Sequence, residues 1–284
     1  MKMPKGDGML LRFVTAFTLI PFVVAIVWLP FLQLGYVAMV VALVFLGAYE
    51  FYKMASQANI EVAGRSGILL AVLLALCDGY AKQYGFHPGG ALLLAVFLMA
   101  MIHLFSLRHT IAGVSTSVFG LVYVGYCGSF FLSLHQQPMV GPALITILIL
   151  TIGCSDTGAY LIGKAIGCHK LAPKISPKKT IEGSLAALVS GALAGAFLYW
   201  LKGQMDWSSY PAWPLAAYMI IGVCLSIVGQ MGDLFESLLK RNAGVKDSGV
   251  VFPGHGGALD RCDAFLFGAP ALYYLIPLVD AWSR

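Results

Sequence analysis

Apolar residues in this chain form long continuous runs. The runs lie at about 12–30, 32–52, 67–82, 89–106, 114–134, 140–164, 181–201, 213–235 and 263–281, most near the ~20 residues that cross a bilayer as a helix. Each predicts a helix, because lipid cannot satisfy free backbone N–H and C=O groups. The runs are too continuous for the strands of a barrel. The third is short and Asp78 interrupts it; the fifth holds glycines and serines. Both are candidates for tilted or re-entrant segments. The first follows Lys2, Lys5 and Arg12 as a signal peptide would. Its apolar stretch exceeds a usual signal core and no small-x-small site follows, so it reads as a retained helix.

Composition sets the solvent. Of 284 residues, 59% are hydrophobic and 11% charged, against about 25% charged in ordinary soluble domains. Mean hydropathy is +0.83. The expected architecture is an all-α integral membrane protein, a polytopic bundle of about nine transmembrane helices with a cytoplasm-facing polar cavity. No repeat or linker divides it. One membrane domain spans 1–284, in which 1–135 is poorly diagnostic and 140–284 holds the catalytic helices and cytoplasmic loops.

Charge orients the bundle. With the N-terminus in the cytoplasm, only Lys82, Lys202 and Arg284 of the 18 lysines and arginines fall outside. Basic residues favour the inner side, and an anionic leaflet accounts for the net charge of +5 without a nucleic-acid partner. The six cysteines include no C-x-x-C pair and read as small hydrophobes.

Acids inside membrane helices are costly and suggest function. Asp156 in "GCSDTGAY", Asp233 and Glu236 in "GQMGDLFESLLKR", and Asp260 and Asp263 in "HGGALDRCD" all fall on the cytoplasmic side. Spacings of three residues put Asp233 with Glu236, and Asp260 with Asp263, on one helical face; Ser237 and Lys240 continue the first. Clustered oxygen ligands suit a hard cation such as Mg²⁺, which takes one or two protein carboxylates and leaves room for phosphates. Structural readings compete. Asp260 or Asp263 can cap a helix, and Glu236 with Lys240 can form an i,i+4 ion pair.

Two loops have anion chemistry. "PKISPKKTIEGS" offers Lys174, Ser176, Lys178, Lys179 and Thr180 beside a helix start. It is equally readable as Ser176 capping a helix with Pro177 in its first turn. In "PGHGGALDR", Gly254, Gly256 and Gly257 allow close backbone approach, with His255 and Arg261 as further donors.

The stretch from Ser237 to Ala264 resembles the signature of the phosphatidate cytidylyltransferase (CDP-diacylglycerol synthase) family, S-x-x-K-R, K-D and H-G-G-x-x-D-R-x-D. The matching positions are Ser237, Lys240, Arg241, Lys246, Asp247, His255, Gly256, Gly257, Asp260, Arg261 and Asp263. "SDTGAY", "SPKKTIEG" and "GDLFES" are similar to family segments too. The resemblance is specific over 155–264 and implies transfer of the cytidylyl group of CTP to phosphatidate, giving CDP-diacylglycerol and pyrophosphate. It implies Asp233, Asp260 and Asp263 around Mg²⁺, alone or beside a second cation such as K⁺. Lys240, Arg261 and His255 would serve catalysis. Ser176, Lys178, Lys179, Thr180, Arg241, Lys246, Asp247, Gly256, Gly257 and Asp156 would line the substrate site. The implied location is a bacterial inner membrane with the site facing the cytoplasm, and a homodimer is compatible with it. Two other readings stand beside it: an enzyme acting with CTP on a polyprenol or archaeal lipid phosphate, and an ion-coupled transporter.

The charge bias predicts termini on opposite sides of the membrane. Single cysteines at positions 5 and 283 in a cysteine-free background should label from the cytoplasmic and external sides respectively. Labelling of both from one side would contradict the nine-crossing topology.

Overall fold

The structure, a computed structural model, describes residues 22–87, 89–106, 110–205, 208–249, 251 and 256–283. Most of the first apolar run, with Lys2, Lys5 and Arg12, lies outside these residues, as do Arg108, Gly254 and His255.

Helices follow the apolar runs. They are α1 (described over 22–28), α2 (Gln33–Gln57), α3 (Gly64–Gly79), α4 (Gly90–Leu104), α5 (Ile111–Gly120) and α6 (Cys127–His135), then α7 (Gly141–Ile166), α8 (Ile181–Met205), α9 (Leu215–Asn242) and α10 (Leu259–Trp282). A π-helical segment, Leu121–Tyr126, fuses α5 to α6 into one rod across the weak fifth run. Among the described residues, six helical stretches are long and apolar enough to cross a membrane: Pro30–Gln57, Ile111–His135, Gly141–Ile166, Ile181–Gln204, Leu215–Asn242 and Leu259–Trp282. The third and fourth runs form the shorter helices α3 and α4, so the expected count of nine is approximate. Asp78 ends α3 in a buried position, where its Oδ1 accepts the Gly89 N–H at the head of α4 (2.7 Å).

The outer surface shows why lipid must be the solvent. On α8, Ile181, Leu185, Val189, Leu193 and Phe197 recur every four residues and are all exposed. In water such a stripe would be an aggregation liability; in a bilayer it is the lipid-facing side.

One addition to the all-helical expectation sits between α7 and α8. Strands β1 (Lys170–Ala172) and β2 (Ser176–Thr180) pair antiparallel, Lys170 opposite Thr180 and Ala172 opposite Ser176. Ser176 therefore begins a strand and does not cap a helix. The cap is Thr180, whose Oγ1 accepts the Gly183 N–H (3.2 Å).

α9 and α10 meet closely where their acids lie. A Cβ at Gly232 would stand 2.5 Å from the carbonyl oxygen of Asp263. Only glycine permits this approach, which sets Asp233 and Asp263 side by side on neighbouring helices.

The head of α10 is held by a residue far away in sequence. Glu50 of α2 is 1% exposed. Its Oε1 accepts the Ala258 N–H (3.0 Å), and its Oε2 accepts the Leu259 N–H (2.8 Å) and the Ser248 hydroxyl (2.9 Å). The first N–H groups of a helix lack intrahelical partners. Here a side chain from another helix supplies them. Gly257 must lack a side chain because a Cβ there would strike the Glu50 carboxylate.

Glu50→Ala would leave the Ala258 and Leu259 N–H groups buried without this acceptor, at roughly 1–3 kcal/mol for each, while the Ser248 hydroxyl keeps Asp260. The detergent-solubilised variant should show a clearly lowered unfolding midpoint, and Glu50→Gln, which keeps one acceptor oxygen, a smaller loss. An Glu50→Ala midpoint equal to wild type would contradict this role.

Candidate active site

The site is built from the C-terminal parts of α7 and α9, the head of α10, strand β2 and, among the described residues, 243–249 and 256–258. Lys240 is its central cation. One helical turn after Glu236 on α9, its Nζ pairs with the buried Glu236 carboxylate and reaches Asp260 Oδ1 at 2.6 Å. The i,i+4 pair read from the sequence thus exists, but as part of a bridge from α9 to α10.

Asp260 is saturated. While Oδ1 takes Lys240, Oδ2 accepts the Ser248 N–H (2.9 Å), the Ser248 hydroxyl (2.8 Å) and the Gly257 N–H (2.8 Å). The carboxylate ties the loop to α10 instead of standing free. Gly257 donates to this carboxylate, so that N–H is not offered to a phosphate. Gly256 turns the chain with φ +84°, a left-handed conformation that favours glycine.

Asp233 faces the strand hairpin. Lys179 Nζ lies 2.7 Å from Asp233 Oδ2, and the Ser237 hydroxyl lies 3.4 Å from Asp233 Oδ1. Asp156 and Asp263 lie within electrostatic reach of Asp233, and Asp156 within reach of Lys179. Asp263 Oδ1 accepts the Ala264 N–H (2.7 Å). The three acid groups read from separate motifs therefore occupy one neighbourhood.

Other expected residues divide. Lys178, Lys246, Asp247 and Arg261 are exposed around this neighbourhood's loops. Arg241 donates from Nε to Ile175 O (3.3 Å) and from a terminal nitrogen to Val245 O (3.3 Å); it fastens the hairpin to the end of α9. Thr180 caps α8, and Ser176 opens β2, as described above. His255 falls outside the described residues.

Among the described residues, no three His, Cys, Asp or Glu side chains converge tightly enough to enclose a metal ion. What converges is a set of carboxylate oxygens shared between two lysines, with Asp260 already filled by protein donors.

The chain matches the cytidylyltransferase family over residues 10–279. It belongs to that family. Among its relatives, a phosphatidate cytidylyltransferase of Bacillus subtilis is 35% identical over 265 residues, covering 90% of this chain and 92% of that protein. One of Synechocystis sp. is 33% identical over 270 residues, covering 85% and 88%. One of Staphylococcus aureus is 43% identical over 161 residues, covering 56% and 59%. Cytidylyltransferase membership spans both halves, so the N-terminal helices belong to the family unit too.

Two residues of this cytidylyltransferase stand outside the expectations drawn from sequence, Glu50 in the N-terminal half and Ser248 in the loop before α10. Glu50, in "LGAYEFYKM", is an acid in an otherwise apolar run, a signal the same rule that flagged Asp156 would have caught. Ser248, between Asp247 and a glycine, had no such signal; it is 5% exposed and joins Glu50 to Asp260.

The contacts separate two acids that look alike in sequence. Asp260→Asn would turn an amide toward donors and weaken the loop, so it should lower the unfolding midpoint together with cytidylyl transfer. Asp263→Asn should lower transfer while leaving the midpoint near wild type. Equal midpoints for the two variants would contradict the division.

Proposed function

We propose that the chain transfers the cytidylyl group of CTP to phosphatidate at this membrane-face site, giving CDP-diacylglycerol and pyrophosphate. The observation that carries the reading is the meeting of Asp156, Asp233 and Asp263 with Lys179 and Lys240 in a chain of this family. Both substrates are phosphate anions, one water-soluble and one anchored by acyl chains. A polar site at the inner end of apolar helices can meet both.

The donor chemistry fits magnesium. All candidate ligands are carboxylate oxygens, and magnesium asks for one or two of them and completes its shell with water and phosphate oxygens. Asp233 and Asp263 would hold it, with Asp156 nearby and Asp260 acting by fixing the loop. Bound there, the ion would neutralise charge on the triphosphate and on the departing pyrophosphate. A second cation such as K⁺ would find the same oxygen chemistry.

The protein's own groups do the rest. Lys179, drawn onto Asp233 by strand β2, and the exposed Lys178, Lys246 and Arg261 offer positive charge to phosphate oxygens. Lys240 holds α9 and α10 in register through Glu236 and Asp260. A phosphate oxygen of phosphatidate forms the new bond to the α-phosphorus of CTP. The bond from that phosphorus to the bridging oxygen breaks, and its electron pair leaves with pyrophosphate. The nucleophile is already anionic at neutral pH, so a strong general base is unnecessary. Positioning and charge neutralisation supply the catalysis. We place the site on the cytoplasmic side of a bacterial inner membrane, where CTP is available, and treat 1–284 as one membrane domain with 140–284 carrying the chemistry.

The purified chain in mixed micelles, given CTP radiolabelled at its α-phosphate, phosphatidate and Mg²⁺, should move the label into a lipid-extractable product and release pyrophosphate in equal amount. Label transfer to a polyprenyl phosphate and not to phosphatidate would overturn the assigned acceptor. No lipid product with either would overturn the reaction.

A further inference from the structure

Tyr123 lies in the N-terminal half, in the π-helical segment Leu121–Tyr126. π-bulges are uncommon and frequent at functional sites, because the extra residue re-aims side chains that a regular helix would send elsewhere. Its side chain is 2% exposed, and among the described residues its hydroxyl has no hydrogen-bond partner. A buried hydroxyl without a partner is costly, and phenylalanine would fill the same space without that cost.

The surroundings of the ring say what the hydroxyl is near. It packs edge-on against Phe235 of α9 (centroids 5.6 Å) and Phe267 of α10 (6.0 Å), and stacks on Phe119 (5.6 Å). Phe235 stands between Asp233 and Glu236 in sequence, and Phe267 one helical turn after Asp263. Tyr123 is thus wedged between the two acid-bearing helices at the level of the acids. Asp263 and Glu236 are the carboxyl groups within electrostatic reach of its hydroxyl. Glu236 is already paired with Lys240. Asp263 has one oxygen on the Ala264 N–H, and among the described residues no donor is assigned to its other oxygen.

We infer that Tyr123 is a positioning residue for the cytidylyl transfer, its phenolic O–H donating to the second oxygen of Asp263 when cation and nucleotide are bound. The inference rests on the functional reading above. The hydroxyl fixes which way the Asp263 carboxylate turns, and so which oxygen faces the cation. A residue of the N-terminal helices thereby acts on a site whose aspartates and lysines come from 156–263.

The test is Tyr123→Phe, which keeps the ring and its aromatic contacts. Without cation or nucleotide, its unfolding midpoint should equal or exceed that of wild type, because an unpartnered hydroxyl has been removed. With CTP and Mg²⁺ added, the rise in midpoint should be smaller than in wild type. The kcat should fall roughly tenfold, the scale of one hydrogen bond to a charged group, with the half-saturating Mg²⁺ concentration raised and the KM for phosphatidate unchanged. Wild-type kcat and Mg²⁺ dependence would overturn the inference. So would a midpoint lowered in the absence of ligands, which would assign the hydroxyl to folding. Asp263→Asn assayed in parallel separates the two levels. If Asp263→Asn is inactive and Tyr123→Phe is normal, only the role of Tyr123 falls. If Asp263→Asn is fully active, the functional reading of the acids falls with it.

Discussion

The carboxylate of Glu50 is the contact on which the rest of the site depends. It sits inside the bundle and takes the N–H groups of Ala258 and Leu259 at the start of α10, together with the Ser248 hydroxyl. α10 therefore begins where α2 permits. From that fixed start, Asp260 comes next and Asp263 one turn later. Ser248 also donates to Asp260, and Asp260 passes the constraint to Lys240 and so to Glu236. One chain of hydrogen bonds and ion pairs links the second helix of the chain to the ninth and tenth.

Such a chain is tolerable only under particular conditions. An ion inside a membrane protein is stabilised when it is paired and its remaining oxygens find donors. Asp260 meets this condition fully, with four donors on two oxygens. Asp156, Asp233 and Asp263 meet it less completely, with Lys179 as the paired cation on Asp233. The difference sorts the acids by task. On the proposed reading, the saturated carboxylate holds structure, and the carboxylates with less protein satisfaction take an exchangeable cation.

The sequence shows the helices well because a bilayer imposes length and continuity, which can be counted residue by residue. It shows the acids of α7, α9 and α10 because charge in apolar surroundings stands out, and because the lysine and arginine bias puts them on one side independently. The glycines of the loop before α10 were harder. Their spacing suggests a phosphate cradle, yet Gly257 is small to admit Glu50 and gives its N–H to Asp260. That partner lies some two hundred positions away, beyond any local pattern. The hairpin over 170–180 was invisible for another reason: prolines and lysines fit a loop, a helix start or a short strand about equally well. Tyr123 was hidden because a tyrosine in an apolar run looks like core, and a π-helical turn has no signature of its own.

The account stands on a cation held by acids of α9 and α10, and direct binding tests it without reference to turnover. Mn²⁺ can replace Mg²⁺ as a paramagnetic probe. Titrated into the purified protein with CTP and followed by electron paramagnetic resonance, it should bind to wild type, with Asp233→Asn and Asp263→Asn each losing most of that binding above the level of CTP alone. Undiminished Mn²⁺ binding in both correctly folded variants would contradict the account.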